Sequence, residues 1–225
     1  MRRIYIADDE ADIRQLIQSF LQEEGYDVHA FASGDRLLAA FEAKPADLLV
    51  LDVMMPGMDG LSLCAAIRKR SDVPIILLTA RDTDADYITG FSLGCDDYFT
   101  KPFSMVKLAL RIRAIFGRMN DEKNVQSITC GDLTLYPSQR TACCGERELK
   151  LTNTEFSLLQ YLMSRPKQVV SREELLNIVW GYDSFVETRA TDDIVKRLRK
   201  KLLEVGSTVA IETVWGIGFR LRTVE

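Results

Sequence analysis

Five side chains stand out for the chemistry they could do together: Asp8, Asp9, Asp52, Thr79 and Lys101. Each lies at the carboxyl end of a short apolar run. Asp8 and Asp9 follow Ile4–Ala7, Asp52 follows Leu48–Leu51, Thr79 follows Ile75–Leu78, and Lys101 follows Tyr98–Thr100. In a parallel sheet these ends share one edge, the edge where open α/β sheets place ligands. Three carboxylates and one ammonium gathered there sum to −2, and packing them unaided raises the carboxylate pKa values. A hard divalent cation cancels that charge, and Mg²⁺ suits oxygen ligands with open water positions. A carboxylate beside the metal could then attack a phosphoryl group, with Thr79 and Lys101 on the phosphoryl oxygens. Taken singly, each residue has a plainer use. Asp9, with Asp12 three residues on, suits a helix start, and Asp52 before Met-Met-Pro-Gly suits a turn. It is the coincidence of all five at matching strand ends that singles them out.

A second constellation is basic. The segment from Arg189 to Arg222 holds eight basic and four acidic side chains. On a helical wheel Thr191, Val195, Leu198 and Leu202 gather on one face, while Arg189, Asp193, Lys196 and Lys200 gather opposite with Arg197 beside them. A charged face of this kind is ordinary on an isolated helix. Here a helix-turn-helix pattern precedes it and a basic hairpin follows, which suits a helix that enters the major groove of DNA.

The elements that must position these groups read in two styles. The first 118 residues alternate short apolar strands with helical stretches near Gly34–Ala43, Leu61–Arg70, Thr83–Leu93 and Ser104–Phe116. An earlier helix carries Ile13, Leu16, Ile17, Phe20 and Leu21 on one face. This predicts a five-stranded parallel, doubly wound α/β domain. Residues 119–127 are polar and aperiodic and predict a linker. From 128 to 225 the pattern turns to antiparallel strands (Asp132–Tyr136, Arg140–Cys144, Glu148–Leu151). Two capping-box spacings follow, Thr152…Glu155 and Ser171…Glu174, each opening a helix. A third helix runs from about Glu187 to Val205, and Thr208–Arg222 reads as strand, turn, strand. The second domain is thus an α+β winged helix.

Composition narrows the function classes. With 47% hydrophobic and 28% charged residues over 225 positions, the chain has material for packed cores, which excludes a disordered or fibrous protein. No apolar run approaches the ~20 residues that span a bilayer, and the start MRRIYIADDE has no signal-peptide pattern, so no membrane association is expected. The five cysteines include no Cys-x-x-Cys spacing, and a reducing cytoplasm is the expected setting. The overall charge of −4 conceals an acidic first half and the basic stretch near the end.

The segments IADDE, LLVLDVMMPGMDG, IILLTAR and GCDDYFTKPF resemble the receiver domain of bacterial response regulators. LTNTEFSLLQYL, RATDDIVKRLRKKL and IETVWGIGFRL resemble the winged-helix effector of the OmpR/PhoB subfamily. The resemblance implies that Asp52 is the phosphoacceptor for a sensor histidine kinase. It further implies that Asp8, Asp9, Asp52 and the Met54 backbone carbonyl hold Mg²⁺, and that Lys101 engages the phosphoryl group. Thr79 and Tyr98 would be the switch pair and Lys101–Pro102 a cis peptide. By the same resemblance the receiver catalyses its own phosphotransfer and slow hydrolysis rather than acting as an enzyme on other substrates. Phosphorylation would drive homodimerisation through Asp97 with Arg111 and Asp96 with Arg118. Arg189, Arg197 and Arg199 would contact promoter DNA, and the loop flanked by Trp180 and Phe185 would meet RNA polymerase.

Four positions depart from the family pattern. The ion pair usual between the positions of Tyr87 and Lys107 is absent. Asp193 stands at a groove-facing site where an acid repels phosphate and could accept from cytosine. Trp215 replaces a common wing arginine, leaving Arg220 and Arg222 as the nearby cations, so that little is expected from the wing tip. Two other readings compete: a regulator that binds DNA without phosphorylation, and a Mg²⁺-dependent hydrolase using an aspartyl phosphate. The hydrolase wants a second acid two residues after its nucleophile, where Met54 stands. A flavin-binding sheet is disfavoured by Asp8, Asp9 and Glu10, which would repel phosphate.

Overall fold

The computed structural model describes residues 1–80, 93–120, 127–180 and 189–223, with the backbone alone at 118–120, 180 and 189. The chain divides into two compact units, Met1–Arg113 and Ala114–Glu225.

In the first unit, β1 (Arg3–Ala7), α1 (Ala11–Glu23), β2 (Asp27–Phe31), α2 (Gly34–Ala43), β3 (Leu48–Asp52), α3 (Gly60–Arg68), β4 (Ile75–Thr79), β5 (Asp97–Thr100) and α4 (Met105–Asn120) follow in order. The sheet order is β2-β1-β3-β4-β5, and every pairing is parallel. All side chains of β3 and β4 are buried, as unbroken apolar runs demand of strands covered on both faces. Helix starts are locally encoded. Ser33 Oγ accepts from the Arg36 N–H at 3.5 Å, and Asp59 Oδ1 accepts from the Ser62 N–H at 2.6 Å. The order reverses between β1 and β3, so the ends of these two strands flank the crevice in which such sheets bind ligands. The predicted helix over 83–93 falls almost wholly outside the described residues.

The second unit contains β6 (Ile128–Cys130), β7 (Leu133–Tyr136), β8 (Thr141–Cys144) and β9 (Arg147–Glu148) as a four-stranded sheet. Next come α5 (Asn153–Met163), β10 (Val170–Ser171), α6 (Arg172–Trp180) and α7 (Arg189–Val205). The hairpin β11 (Val209–Val214) and β12 (Gly218–Thr223) closes the unit, with β10 added to its edge. Both sides of the predicted capping box at α5 are made: Thr152 Oγ1 accepts from the Glu155 N–H at 3.4 Å, and Glu155 Oε2 accepts from the Thr152 N–H at 2.9 Å. Ser171 Oγ likewise accepts from the Glu174 N–H at 3.0 Å.

Three expectations shift. The helix α4 continues to Asn120, so the first two residues of the predicted linker are helical and the unit division falls inside the helix rather than after 118. The predicted strand Glu148–Leu151 shrinks to Arg147–Glu148, because Thr152 must leave the sheet to cap α5. The strands β6 and β10 have three and two residues, too short to show an alternation in the sequence.

Candidate functional site

The turn after β1 is built by its own acids and one arginine. Asp8 Oδ1 accepts from the Glu10 N–H at 2.9 Å, while Arg14, one turn into α1, donates from Nη1 to the Asp8 carbonyl at 2.7 Å and the Asp9 carbonyl at 3.2 Å. After β3, Asp52 Oδ1 accepts from the Met54 N–H at 3.3 Å. A Cβ added at Gly60 would stand 2.1 Å from the Asp52 carbonyl oxygen, so only glycine lets α3 start this close to the acidic residue. The Lys101 N–H donates to the Thr79 carbonyl at 2.6 Å, which ties the end of β5 to that of β4. The Lys101–Pro102 bond is cis.

These turns converge on the Lys101 ammonium. Its Nζ donates to Asp8 Oδ2 and Asp52 Oδ2 at 3.0 Å each and to Glu10 Oε1 at 3.1 Å. Asp8 and Asp52 are 0% and 2% exposed, and Thr79 is fully buried at the neighbouring strand end. Burial pushes both carboxyls above the ordinary aspartate range, against the lowering effect of Lys101. Burial alone would lower the Lys101 pKa, but the carboxylates of Asp52, Asp8 and Glu10 outweigh it and hold the ammonium well above the usual lysine range.

The donor set fits a hard cation. Carboxylate oxygens of Asp8, Glu10 and Asp52 lie within 4.8 Å of one another. Asp9, expected beside Asp8, is not in that group. It is exposed, its carbonyl accepts from Arg14, and it reaches Asp52 as a nearby negative charge. Glu10 and Arg14 are the residues that strand-end reasoning missed. The signal for Glu10 was a third consecutive acid, and for Arg14 a cation one helical turn beyond the acidic loop.

The dimer-face residues also have partners within the chain. Asp97 and Arg111, expected to pair between copies, form an ion pair within one chain through Asp97 Oδ2 and Arg111 Nε, with exposures of only 8% and 1% for the arginine and the acid. Asp96 is also internal: its Oδ2 accepts from Arg68 Nη2 at 2.7 Å and from the Ile75 N–H at 2.9 Å. The side chain of Arg118, like Tyr87, lies outside the described residues. Tyr98 is 8% exposed and its ring is packed inward.

In the second unit, the expected DNA contacts divide. Lys196 and Lys200 are exposed on α7 and Asp193 is half-buried. Burial raises the Asp193 pKa against the pull of Arg197 and Lys196. The Arg189 side chain is outside the described residues. Arg197 turns inward instead: its Nε lies 3.6 Å from Glu155 Oε1, and its guanidinium nitrogens are buried without a hydrogen bond among the described residues. Arg199 is also occupied, donating from Nε to the Ile211 carbonyl at 2.8 Å and from Nη2 to Thr213 Oγ1 at 2.7 Å. Arg220 pairs with Glu212 at 2.8 Å, and Trp215 projects from the hairpin tip.

Residues 4–113 match the response regulator receiver domain, and residues 146–221 match the C-terminal domain of transcriptional regulatory proteins. Over 221 residues, 98% of each chain, the sequence is 40% identical to the heme response regulator HssR of Staphylococcus aureus. The chain belongs to the OmpR/PhoB-type two-component response regulators. A solved cysteine-to-serine mutant of RitR superposes on 99% of the regulator and 100% of its own length with a TM-score of 0.80 at 27% identity. DrrB of Thermotoga maritima, an OmpR/PhoB homolog, covers both chains fully with a TM-score of 0.52 at 29% identity. The regulator therefore couples a receiver to a DNA-binding unit, with a sensor kinase and DNA as the partners its two domains imply. No helix among the described residues is long and apolar enough to cross a membrane.

Proposed function

We propose that Asp52 accepts a phosphoryl group from a phosphohistidine of the partner kinase and that the acyl phosphate controls DNA binding by α7 and the hairpin. The observation that carries this reading is the buried Asp52 carboxylate 3.0 Å from Lys101 Nζ, at the point where the strand order reverses. An Asp52 oxygen attacks phosphorus, the N–P bond breaks, and the imidazole leaves. Lys101, held protonated by its three acids, stays on the new phosphoryl oxygens, and the Thr79 hydroxyl is the second donor. Asp8, Asp9, Asp52 and the Met54 carbonyl would hold Mg²⁺, with Glu10 close enough to act through water. When bound, the metal supplies charge neutralisation at the transferring group. Water later hydrolyses the acyl phosphate in the same site, so the receiver carries out both steps on itself.

Phosphorylation then pairs two receivers. Asp97 and Arg111 form an ion pair within the chain, and that pair helps to shape the dimer face. The loop between α6 and α7 meets RNA polymerase, and the whole cycle runs in the cytoplasm, where kinase domain and promoter are both accessible. The heme response of the named relatives makes haem the first signal to test, sensed by the kinase.

Intact-mass measurement with an acyl phosphate and Mg²⁺ tests the core of this reading. One phosphoryl group should be added, and none in Asp52→Asn or with excess chelator. Equal labelling of Asp52→Asn would overturn the assignment. Operator binding unchanged between Asp52→Asn and the phosphorylated chain would favour a regulator that works without phosphorylation.

A further inference from the structure

The turn that carries Asp8 and Asp9 has little regular structure to hold it. Strand pairing on β1 ends at Ala7, opposite Phe31 on one side and Leu51 on the other. The Asp8 N–H still donates to the Phe31 carbonyl at 3.2 Å, but the Asp8 and Asp9 carbonyls lie past the ladder. The helix α1 begins at Ala11 without a side-chain cap, because Glu10 at its N-cap turns to Lys101 instead. One side chain takes both carbonyls: Arg14 Nη1 donates to that of Asp8 at 2.7 Å and to that of Asp9 at 3.2 Å.

Arg14 therefore acts on the acidic site through the backbone beneath it. A peptide unit is planar, so holding two successive carbonyls on one nitrogen fixes the chain direction through Asp8 and Asp9. The direction in which their side chains leave the chain is fixed with it. The Asp8 carboxylate is then held at one oxygen: Oδ1 accepts from the Glu10 N–H at 2.9 Å, which turns Oδ2 to Lys101 at 3.0 Å. Arg14 is itself anchored in α1, its own N–H donating to the Glu10 carbonyl at 3.0 Å. The ring of contacts runs from Asp8 through Arg14 to Glu10, the two acids whose carboxylate oxygens lie within 4.8 Å of one another and of Asp52.

We propose that Arg14 is a positioning residue of the receiver, one that sets the acidic turn for a small divalent cation and gives Mg²⁺ its advantage over a larger ion such as Ca²⁺. The proposal rests on the reading of the acidic cluster as the metal site. Mg²⁺ demands near-octahedral placement of its oxygen ligands, whereas Ca²⁺ takes more ligands in looser arrangements. A turn held at two carbonyls keeps the carboxylates within the narrower range. Charge alone predicts the reverse. A guanidinium near the acids repels every cation, so its removal would tighten the binding of both ions.

The test is calorimetric titration of the full, unphosphorylated chain with Mg²⁺ and, separately, with Ca²⁺, each variant's fold being checked by thermal melting in chelator. Arg14→Ala should weaken Mg²⁺ binding about tenfold, the scale of losing a group that orients a metal ligand. Ca²⁺ binding should weaken about threefold at most, so that the preference for Mg²⁺ falls. Arg14→Lys keeps the charge but not the planar fork, and its Mg²⁺ affinity should lie between those of Arg14→Ala and the wild type. A role in folding alone would lower the melting temperature in chelator and leave the ratio of the two affinities where it was. An unchanged ratio, or tighter binding of both ions, would overturn the proposal. If the alanine variant does not fold, the same ratio in Arg14→Lys decides it. A wild-type chain that takes up no Mg²⁺ would overturn the metal reading, and the proposal with it.

Discussion

Lys101 and Glu155 are opposite solutions to the same problem. Lys101 is one cation shared among three carboxylates, with Asp8 and Asp52 at 3.0 Å and Glu10 at 3.1 Å. Glu155 is one carboxylate, 1% exposed, shared between the Lys201 ammonium at 2.6 Å and the Arg197 guanidinium at 3.6 Å, while it also caps α5. Buried charge is tolerated in both places only through its partners. The sign of the surplus separates them. Around Lys101 the excess is negative and the carboxyls of Asp8 and Asp52 are pushed up, which leaves the cluster receptive to a further cation and to chemistry. Around Glu155 the excess is positive and both cations come from α7, so the cluster fastens α7 to α5.

The largest effect expected from breaking this comparison is at Glu155. Glu155→Ala removes the cap and leaves two cations without their buried counter-ion, so the second unit should lose about 3–5 kcal/mol in urea unfolding of the full chain. Glu155→Gln, which keeps an acceptor for the cap, should lose less. A loss under about 1 kcal/mol for the alanine variant would mean that the cluster is not a staple.

Lys101→Met should be milder, about 2 kcal/mol in chelator, because Asp8 and Asp52 can protonate in part once their cation is gone. Excess Mg²⁺ should restore much of that loss by binding the folded receiver. No ion should rescue Glu155→Ala. Lys101→Met insensitive to Mg²⁺ would remove the asymmetry drawn here.

The smallest effects contrast two aspartates by pH. Burial raises the Asp52 pKa in the fold, so the charged carboxylate destabilises the receiver and its protonation, as pH falls, stabilises it. Asp52→Asn should therefore be more stable than wild type by about 1 kcal/mol near neutrality in chelator, with the gap closing as pH falls through the raised pKa. At Asp132 burial would raise the pKa, but the Thr208 N–H, the Ser207 hydroxyl and the Cys144 thiol together lower it to about 2. Its contribution is present above the unfolded aspartate value and is lost as pH drops toward 2. Asp132→Asn should thus be the less stable protein at neutrality, by about 1 kcal/mol once solvent screening is allowed for, and match wild type in acid. Thermal melts across pH check both, and equal signs would break the distinction.

Much of the fold was legible because its signals are local. Unbroken apolar runs marked β3 and β4, Thr152 and Glu155 marked a helix start, and strand ends placed Asp8, Asp52, Thr79 and Lys101 on one edge. What escaped depended on partners far along the chain. A wheel puts Arg197 beside the polar face of α7, yet its partner Glu155 is 42 positions earlier on α5. A capping-box glutamate followed by an apolar helix does hint that a buried acid needs a cation from elsewhere. The hold of Arg199 on the hairpin escaped for the same reason, since nothing local announces the carbonyl of Ile211 as its acceptor. The ion pair that Asp97 of β5 and Arg111 of α4 make within one chain is likewise announced by nothing local in the sequence.

The crowding of Gly60 against the Asp52 carbonyl bears on how any signal must leave the receiver. The Gly60 N–H also donates to the Val53 carbonyl at 3.1 Å, and the Val53 N–H to the Leu78 carbonyl at 2.7 Å, so the main chain just after Asp52 is pinned from two sides. The Asp52 backbone is a fulcrum and not a lever. Under the proposed phosphorylation, a change at its side chain would be transmitted by the groups that reach toward it, Lys101 and Thr79 first among them, while the ground beneath Asp52 stays still.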